Sequence, residues 1–322
     1  MRNSILFQLL VCQLFCPIKL AAQSLSFPQL LKLAQEGNAT SQFFLARKYE
    51  EGDGVEMNLD SAIVWYKKAI NGGRNIANVL LGSIYDREKK QIKAYPYYMQ
   101  YYEDVKMAME SGNRTKVDQI DQNLLALSQY KIGEYKLYGF DGIKKDIEGA
   151  IRFLKDAANN NYGVAAYLNL SNAYLETKDS VNAFNNIKIA FEKYHDDMSI
   201  AKLALCYIQG IGCKKNYEAA YDLLEPIAVN GNQLVLVTIG DLCRKENFSR
   251  HDDVKAFQYY SLLLEKSHEP LWKGTALRRL SRCYRFGRGV KKDLQKAEKL
   301  MKEAAQYGDK DAKSLLEMTG IN

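Results

Sequence analysis

A segment of roughly 35 residues recurs along this chain, and no other feature of the sequence restricts the fold as strongly. The run YRFGRGVKKDLQKAEKLMKEAAQYGD, Tyr284–Asp309, has counterparts that begin at Tyr49, Tyr138 and Tyr207. Each contains a tyrosine, two nearby glycines, a short polar link and an alanine that opens a helix with apolar periodicity. Three weaker copies lack the glycines. Self-similarity at such a period is typical of helical repeat arrays.

The alanine that opens the second helix of each copy sets the period of the array. Successive anchor alanines are separated by 32, 56, 33, 37, 36 and 41 residues. The second interval is out of line, which predicts an insertion at about residues 103–125. The anchors are Ala62, Ala94, Ala150, Ala183, Ala220, Ala256 and Ala297.

Each copy is predicted to form a hairpin of two helices. The first helix has a small residue at one equivalent position, and the second has a large apolar residue four positions after its anchor, on the same face. Such a hairpin exposes an apolar side that only the next hairpin can cover. The sequence therefore predicts an all-α right-handed α-solenoid of about seven two-helix repeats, one domain over residues 23–322. The small residues are Ala46, Gly82, Ser171, Ala204, Gly240 and Ser281, and the large ones include Tyr66, Leu154, Leu224 and Tyr260.

The paired glycines look at first like a phosphate-binding loop. Such a loop requires GxxxxGK[ST], or GxGxxG after a strand, and the chain has neither. We interpret Gly287 and its counterparts as residues just past a helix end, where the left-handed backbone favours glycine. The residue after the second glycine, such as Val290, is expected to fill the space between the two helices. No nucleotide or other cofactor is predicted.

The N-terminus has the features of a secretory signal peptide. Arg2 precedes a short apolar run, ILFQLLVCQLF, and small residues follow at Ala21 and Ala22. The run is too short to span a bilayer as a permanent helix. We predict that residues 1–22 are removed and that the mature protein is exported, periplasmic or secreted, and not an integral membrane protein. An amphipathic first helix of a cytosolic protein is the alternative.

Four cysteines remain after the signal: Cys206, Cys213, Cys243 and Cys283. An even number in an exported chain permits disulfides. Cys206 with Cys213 is the favoured pair, because a loop could fold back between them; four free thiols are the alternative. The cysteine spacings match no zinc module, and the three histidines are far apart in sequence, so no metal site is predicted.

The repeat pattern resembles the Sel-one-like repeat (SLR) family, a branch of the tetratricopeptide superfamily. The resemblance is carried by LARKYEEGDGVEMNLDSAIVWYKKAINGG and LSRCYRFGRGVKKDLQKAEKLMKEAAQYGD and extends over roughly residues 26–319. The insertion and Pro96 depart from it, within residues 86–135. It implies an adaptor that assembles protein complexes. Many bacterial members are exported and act in the envelope or in contact with host cells, whereas a eukaryotic branch serves endoplasmic reticulum quality control.

An enzyme of the β-lactamase or cell-wall kind is the first alternative, because some exported relatives are labelled β-lactamases. That chemistry needs S-x-x-K together with a partner K-T-G. Ser128–Lys131 and Ser199–Lys202 match the first pattern, but neither KTG nor SDN occurs. We therefore predict a non-enzymatic protein. A eukaryotic secretory-pathway adaptor is the second alternative.

Positive charge is concentrated at the C-terminal end of the chain. Residues 270–292 contain eight basic and no acidic residues, and the whole chain carries a net charge of +7. A rotation of about 100° per residue puts Arg278, Arg282 and Arg285 in one strip beside the core face. First helices line the concave surface of tetratricopeptide-like arrays. The strip, with Lys273, is therefore predicted to bind an acidic segment of a partner protein, although a solvated face is the alternative.

Nucleic acid is not a predicted partner, because export argues against it and the basic patch is short. A cluster of tyrosines at residues 95–102 is a second candidate surface. Tyr98 and Tyr101 follow the core positions of the repeat, whereas Tyr95 and Tyr102 lie elsewhere around the helix. Tyrosine is favoured at interfaces because its ring is apolar and its hydroxyl is polar. We expect core packing for the first pair and an interface for the second.

Overall fold

The computed structural model describes residues 25–112, 119–140 and 142–319. The predicted signal peptide, residues 1–22, lies outside them. The described residues form sixteen α-helices, one 3₁₀ helix and no β-strand, which confirms the predicted all-α class. They divide into two compact units between Thr177 and Lys178.

The first unit contains α1 (Phe27–Gln35), α2 (Ala39–Glu51), α3 (Leu59–Asn71), α4 (Ala77–Arg87), α5 (Gln91–Glu110), α6 (Gln119–Tyr138), α7 (Ile147–Asn159) and α8 (Val164–Glu176). The second unit contains α9 (Ser180–Tyr194), α10 (Asp197–Gln209), α11 (Tyr217–Leu224), a 3₁₀ helix (Glu225–Asn230), α12 (Gln233–Cys243), α13 (Asp253–Lys266), α14 (Pro270–Phe286), α15 (Leu294–Gln306) and α16 (Lys310–Thr319).

Each unit is a stack of helical hairpins, as the repeat predicts. In the first unit α2 packs with α3, α4 with α5, and α6 with α7; in the second, α10 packs with α11, α12 with α13, and α14 with α15. The short helix α1 packs against α2, and α16 packs against α15. These two helices cover apolar sides that would otherwise face solvent. The architecture is that of an α-solenoid of two-helix repeats.

The anchor alanines lie where each second helix meets its partner. All seven are buried, at most 2% exposed. Most of the second helices begin after an Asn or Asp whose side chain accepts a main-chain N–H of the first turn, as Asp252 does from Val254 and Lys255. These caps satisfy N–H groups that have no partner within the helix. They fix where each second helix starts, and so which residue becomes the buried anchor.

The small position of the first helix is required by the large residue of the second. At Gly240, an added Cβ would lie 2.6 Å from a ring carbon of Tyr260. The first helix of the third repeat has Gly133 there, and a Cβ would lie 2.7 Å from Leu154 Cγ. The sequence did not reveal Gly133, because the insertion displaces it from the period. Close approach of the two helices is thus confirmed in a strong and in a degenerate repeat.

The paired glycines end the first helices, as predicted. Gly287 follows α14 with a φ of 67°, and its N–H donates to the main-chain oxygen of Cys283. Gly289, with a φ of 69°, has a second role: an added Cβ would overlap the main chain of Asp253 at the start of α13. The loop of one repeat therefore rests on the second helix of the repeat before it. Gly52, Gly139 and Gly210 have the same left-handed conformation as Gly287.

The insertion lengthens two helices that pack against each other. Both α5 and α6 have 20 residues, whereas most helices of the other repeats have 13 or so. Pro96 lies inside α5, near its N-terminal end, and does not break it. Tyr98 and Tyr101 are each 1% exposed, so their predicted core position is confirmed.

The predicted disulfide between Cys206 and Cys213 is absent, and the four described cysteines are free thiols. Cys206 lies on the buried face of α10, whereas Cys213 lies in the loop that follows. The loop does fold back, but the thiol of Cys213 points at the main-chain oxygen of Cys206, with an Sγ–O distance of 3.5 Å. The loop thus brings Cys213 close to Cys206, as predicted, but the two sulfur atoms do not face each other.

We expect Cys213 to be the fastest-reacting thiol of the four. Burial raises the pKa of Cys206 and of Cys243 to about 11 and raises that of Cys283, so little thiolate forms at pH 8. Cys213 is partly exposed, and its pKa is raised as well. Titration of the native protein with a disulfide reagent should therefore show one fast phase, about tenfold quicker than the rest. This phase should be absent in Cys213→Ser. Cys243→Ala should keep that phase.

Candidate functional site

Three successive first helices of the second unit, α10, α12 and α14, border a groove of about 560 Å³. Its apolar lining includes Leu205 and Ile208 from α10, and Leu234 and Val237 from α12. Lys215, Lys245, Asp241 and Arg279 supply its charges. The groove arises because residues three and four apart on a helix share one face, so the same turns of neighbouring helices contribute to one surface.

A bidentate ion pair links α12 to α14 in this groove. Arg279 donates through Nε and Nη2 to the two carboxylate oxygens of Asp241, each at 2.7 Å. The hydroxyl of Tyr260 donates to the same carboxylate, also at 2.7 Å. Burial alone would lower the pKa of Arg279, and the bonds to Asp241 outweigh it and raise the pKa. The pair fixes the register of the two first helices, because a two-bond contact permits little sliding.

One turn further along, the facing residues are both arginines. Arg244 comes three residues after Asp241, and Arg282 three after Arg279. Among the described residues neither forms an ion pair. The Nε of Arg244 is buried, and no described residue accepts a hydrogen bond from it. Partial burial and then the charges of Arg244, Arg279 and Arg278 lower the pKa of Arg282. Positive charge therefore outweighs negative charge around Arg282.

The predicted arginine strip is only partly available to a partner, and this corrects the prediction for Arg278. Its side chain is 11% exposed, and Nε lies 2.9 Å from Oδ1 of Asp309, with Nη2 3.1 Å from Asp311. Helical rotation put Arg278 beside the core face, but it did not show that α16 would cover it. Arg282 and Arg285 are exposed. Lys273 is half-buried, with Nζ 5.7 Å from the ring centre of Tyr307.

The two tyrosines predicted to form an interface pack inside the first unit. The ring of Tyr102 lies 5.0 Å from that of Phe153, edge to face, and the ring of Tyr95 lies 6.0 Å from that of Tyr135. Both are half-buried against the core. The long helix α6 of the insertion brings Tyr135 to this position. Both side chains therefore have packing contacts within the unit, and their role at an interface stays a prediction.

The two serines of the S-x-x-K matches are buried. Ser128 lies in the interior of α6. Ser199 lies in the first turn of α10, where its hydroxyl donates to the Asp196 carboxylate at 2.6 Å. Neither hydroxyl is accessible to a substrate. Within the described ranges, no three His, Cys, Asp or Glu side chains are arranged to hold a metal ion. No helix of these ranges combines the length and apolar character needed to cross a bilayer.

Arg244 is the site residue that the sequence analysis missed. It lies four residues after Gly240, as Arg285 lies four after Ser281, so the two occupy equivalent repeat positions. The repeat alignment alone could have found it. A contiguous run of charge does not indicate such a residue, because the groove combines residues from helices about forty positions apart.

A family model described as Sel1 repeat matches five stretches of the chain, together just over half of its length. The matched stretches are residues 39–73, 126–162, 198–232, 247–268 and 274–309. They correspond to the hairpins anchored at Ala62, Ala150, Ala220, Ala256 and Ala297. No curated protein has a sequence similar enough to this chain to count as a match.

Among solved structures, a Sel1 repeat protein from Oxalobacter formigenes is similar to this chain, with 19% sequence identity and a TM-score of 0.63. The alignment covers 91% of this chain and 79% of that one. A STAND ATPase with a tetratricopeptide repeat sensor from Pyrococcus horikoshii has 15% identity and a TM-score of 0.57. That alignment covers 91% of this chain and 45% of the other, less than half of its length. At these identities the similarity concerns the fold.

Proposed function

This chain belongs to the Sel1 repeat family, whose members are the Sel-one-like repeat proteins. We propose that it is an exported, non-enzymatic scaffold that binds a partner protein along α10, α12 and α14. Sel1 and tetratricopeptide-like repeats are folds of protein–protein interaction, and Sel1 repeat proteins are generally non-enzymatic. The particular groove, the acidic character of the partner and the export are our proposals.

The groove carries this proposal, because it combines apolar surface with uncompensated positive charge. Leu205 and Leu234 are partly exposed in its lining, where a partner's side chains could bury them. Outside this lining, Arg244 follows α12, and Arg282 and Arg285 are exposed on α14. Their three guanidinium groups have no ion-pair partner among the described residues. Apolar contacts favour binding through buried area, and complementary charge selects the partner. An acidic segment of another protein fits both properties.

Export is proposed from the apolar N-terminal run and the small residues at Ala21 and Ala22. Fractionation of cells that produce the full chain tests it. The mature protein should be recovered outside the cytoplasm and should begin at Gln23, the residue after the predicted cleavage position. A protein that keeps Met1 and remains in the cytoplasm would contradict export and leave the groove proposal standing.

The binding proposal is tested by cross-linking in the compartment where the protein occurs. A photoreactive phenylalanine analogue at position 234, inside the groove, should capture a partner that the same analogue at position 299 does not. Residue 299 lies on α15, the second helix of its repeat, and is a matched control. Arg282→Glu should reduce capture from position 234 about tenfold, because it places a like charge opposite an acidic segment. Equal capture from both positions would contradict the proposal.

A further inference from the structure

Partial burial and then the charge of Arg244 lower the pKa of Arg282, and the register of α12 and α14 leads to the same two residues. The two helices are first helices of successive repeats, and Asp241 on one is joined to Arg279 on the other by two hydrogen bonds of 2.7 Å. A step of three residues is close to one helical turn. Three residues after Asp241 comes Arg244, and three residues after Arg279 comes Arg282. The ion pair thus determines which two residues face each other in the next turn.

Two acidic residues close to Arg244 in the sequence, Asp241 and Glu246, are already engaged. Asp241 accepts from both Arg279 and Tyr260. Glu246 lies 3.5 Å from Arg288. The Nε of Arg244 is buried and has no hydrogen-bond partner within residues 25–112, 119–140 and 142–319, which is costly unless a bound group supplies an acceptor. Two adjacent guanidinium groups, one with an unpaired donor, form an arrangement that an anion would stabilise.

We propose that Arg244 and Arg282 together bind one side-chain carboxylate of a partner segment, whose apolar residue lies further up the groove against Leu234 and Val237. This inference rests on the proposed function and makes it more specific, since it states which residues bind the acidic group of the partner. The proposed carboxylate site consists of two arginines from successive repeats. It does not include Lys273, nor Arg278, whose guanidinium group is paired with Asp309.

The spacing along α12 predicts the order and separation of the partner's residues. Leu234, Val237 and Asp241 of α12 line the groove, and Arg244 follows as the residue that caps the C-terminal end of this helix. The sequence along α12 thus changes from apolar to charged. Ten residues of helix cover about 15 Å. An extended peptide crosses that distance in about four or five residues. The partner segment should therefore have an apolar residue and, four or five positions away, an aspartate or glutamate.

Fluorescence anisotropy with labelled synthetic peptides tests this directly. One peptide has a leucine and a glutamate five positions apart in a serine background, and its control has glutamine in place of the glutamate. The glutamate peptide should bind about tenfold more tightly. Arg244→Gln and Arg282→Gln should each remove that preference, and the double variant should lose little more, because both arginines act on one carboxylate.

A matched control separates the pair from the overall positive charge. Lys299→Gln removes the same charge from α15 and should leave the glutamate preference unchanged. Thermal unfolding of each variant confirms that the fold is intact. Equal binding of both peptides, or equal sensitivity to Lys299→Gln, would overturn the proposal.

The proposed function can survive such a result, and the measurements tell the two apart. If Leu234→Ser weakens both peptides while the arginine variants do nothing, the groove binds apolar segments and the carboxylate site is wrong. If neither peptide binds, the inferred spacing is wrong, and cross-linking from position 234 decides whether the groove binds any partner.

Discussion

Replacing Asp309 by alanine is expected to destabilise the second unit by about 3 to 5 kcal/mol, as does the loss of one partner of a buried ion pair. Asp309 is 5% exposed and accepts from Nε of Arg278 at 2.9 and 3.0 Å. The same carboxylate accepts the main-chain N–H of Ala312 at 2.8 Å and so caps α16. The substitution would leave the Arg278 guanidinium buried without this partner and remove the cap, so α16 should detach first.

Asp311→Ala is the matched control, because Asp311 contacts the same arginine from the surface. Its side chain is 71% exposed and lies 3.1 Å from Nη2 of Arg278. Exposed ion pairs contribute little, so the loss should stay below about 1 kcal/mol. Urea unfolding gives both values, and limited proteolysis followed by mass spectrometry shows whether α16 is cleaved early. Similar losses in the two variants would mean that Asp309 does not hold the C-terminal helix.

Gly240→Leu is expected to cost about 3 kcal/mol or more, because it inserts a large side chain where two helices nearly touch. Even a single Cβ at this position would lie 2.6 Å from the Tyr260 ring, closer than carbon atoms can pack. Displacing that ring would also weaken its hydrogen bond to Asp241. Thermal unfolding should show a markedly lower midpoint, with Gly240→Ala between this variant and the native chain.

A compensated variant distinguishes overpacking from other effects at Gly240. The fifth repeat has Ala204 and Leu224 at the positions of Gly240 and Tyr260, and both are fully buried. Gly240→Ala combined with Tyr260→Leu copies that pair, so it should recover part of the stability lost in Gly240→Ala. Tyr260→Leu alone loses the hydrogen bond to Asp241, so its cost is measured separately. If the costs of the two single substitutions simply add in the double variant, the clash with the ring is not the cause.

The all-α hairpins were predictable because their determinants are local and repeated. Anchor alanines such as Ala256, and helix-ending glycines such as Gly287, recur at a nearly constant period. Every copy has the same physical requirement, either for a small buried residue or for a left-handed backbone. The repeated residues therefore make the requirement visible in the sequence. The three repeats without the glycines were still found from their anchors, whereas Gly133 was missed because the insertion moved it out of phase.

The candidate site was only partly predictable, because its residues come from different repeats. Arg282 was found within a contiguous basic run. Arg278 belongs to the same run but is covered by α16, and Arg244 lies outside it. Helical rotation gives the direction of a side chain from its own axis. It does not give the identity of the groups that neighbouring helices bring to it.

The sequence by itself determined the repeating hairpin. The apolar periodicity and the residues that begin and end each helix act over a few positions, and they recur along the chain. Only the tertiary structure decided which charges are satisfied. Arg278 and Arg279 obtain partners about thirty to forty residues away, at Asp309 and Asp241, whereas Arg244 and Arg282 obtain no ion-pair partner in the part of the chain that the structure describes. A charge is neutralised by whatever lies within hydrogen-bond distance in space, and that distance exists only once the repeats have stacked.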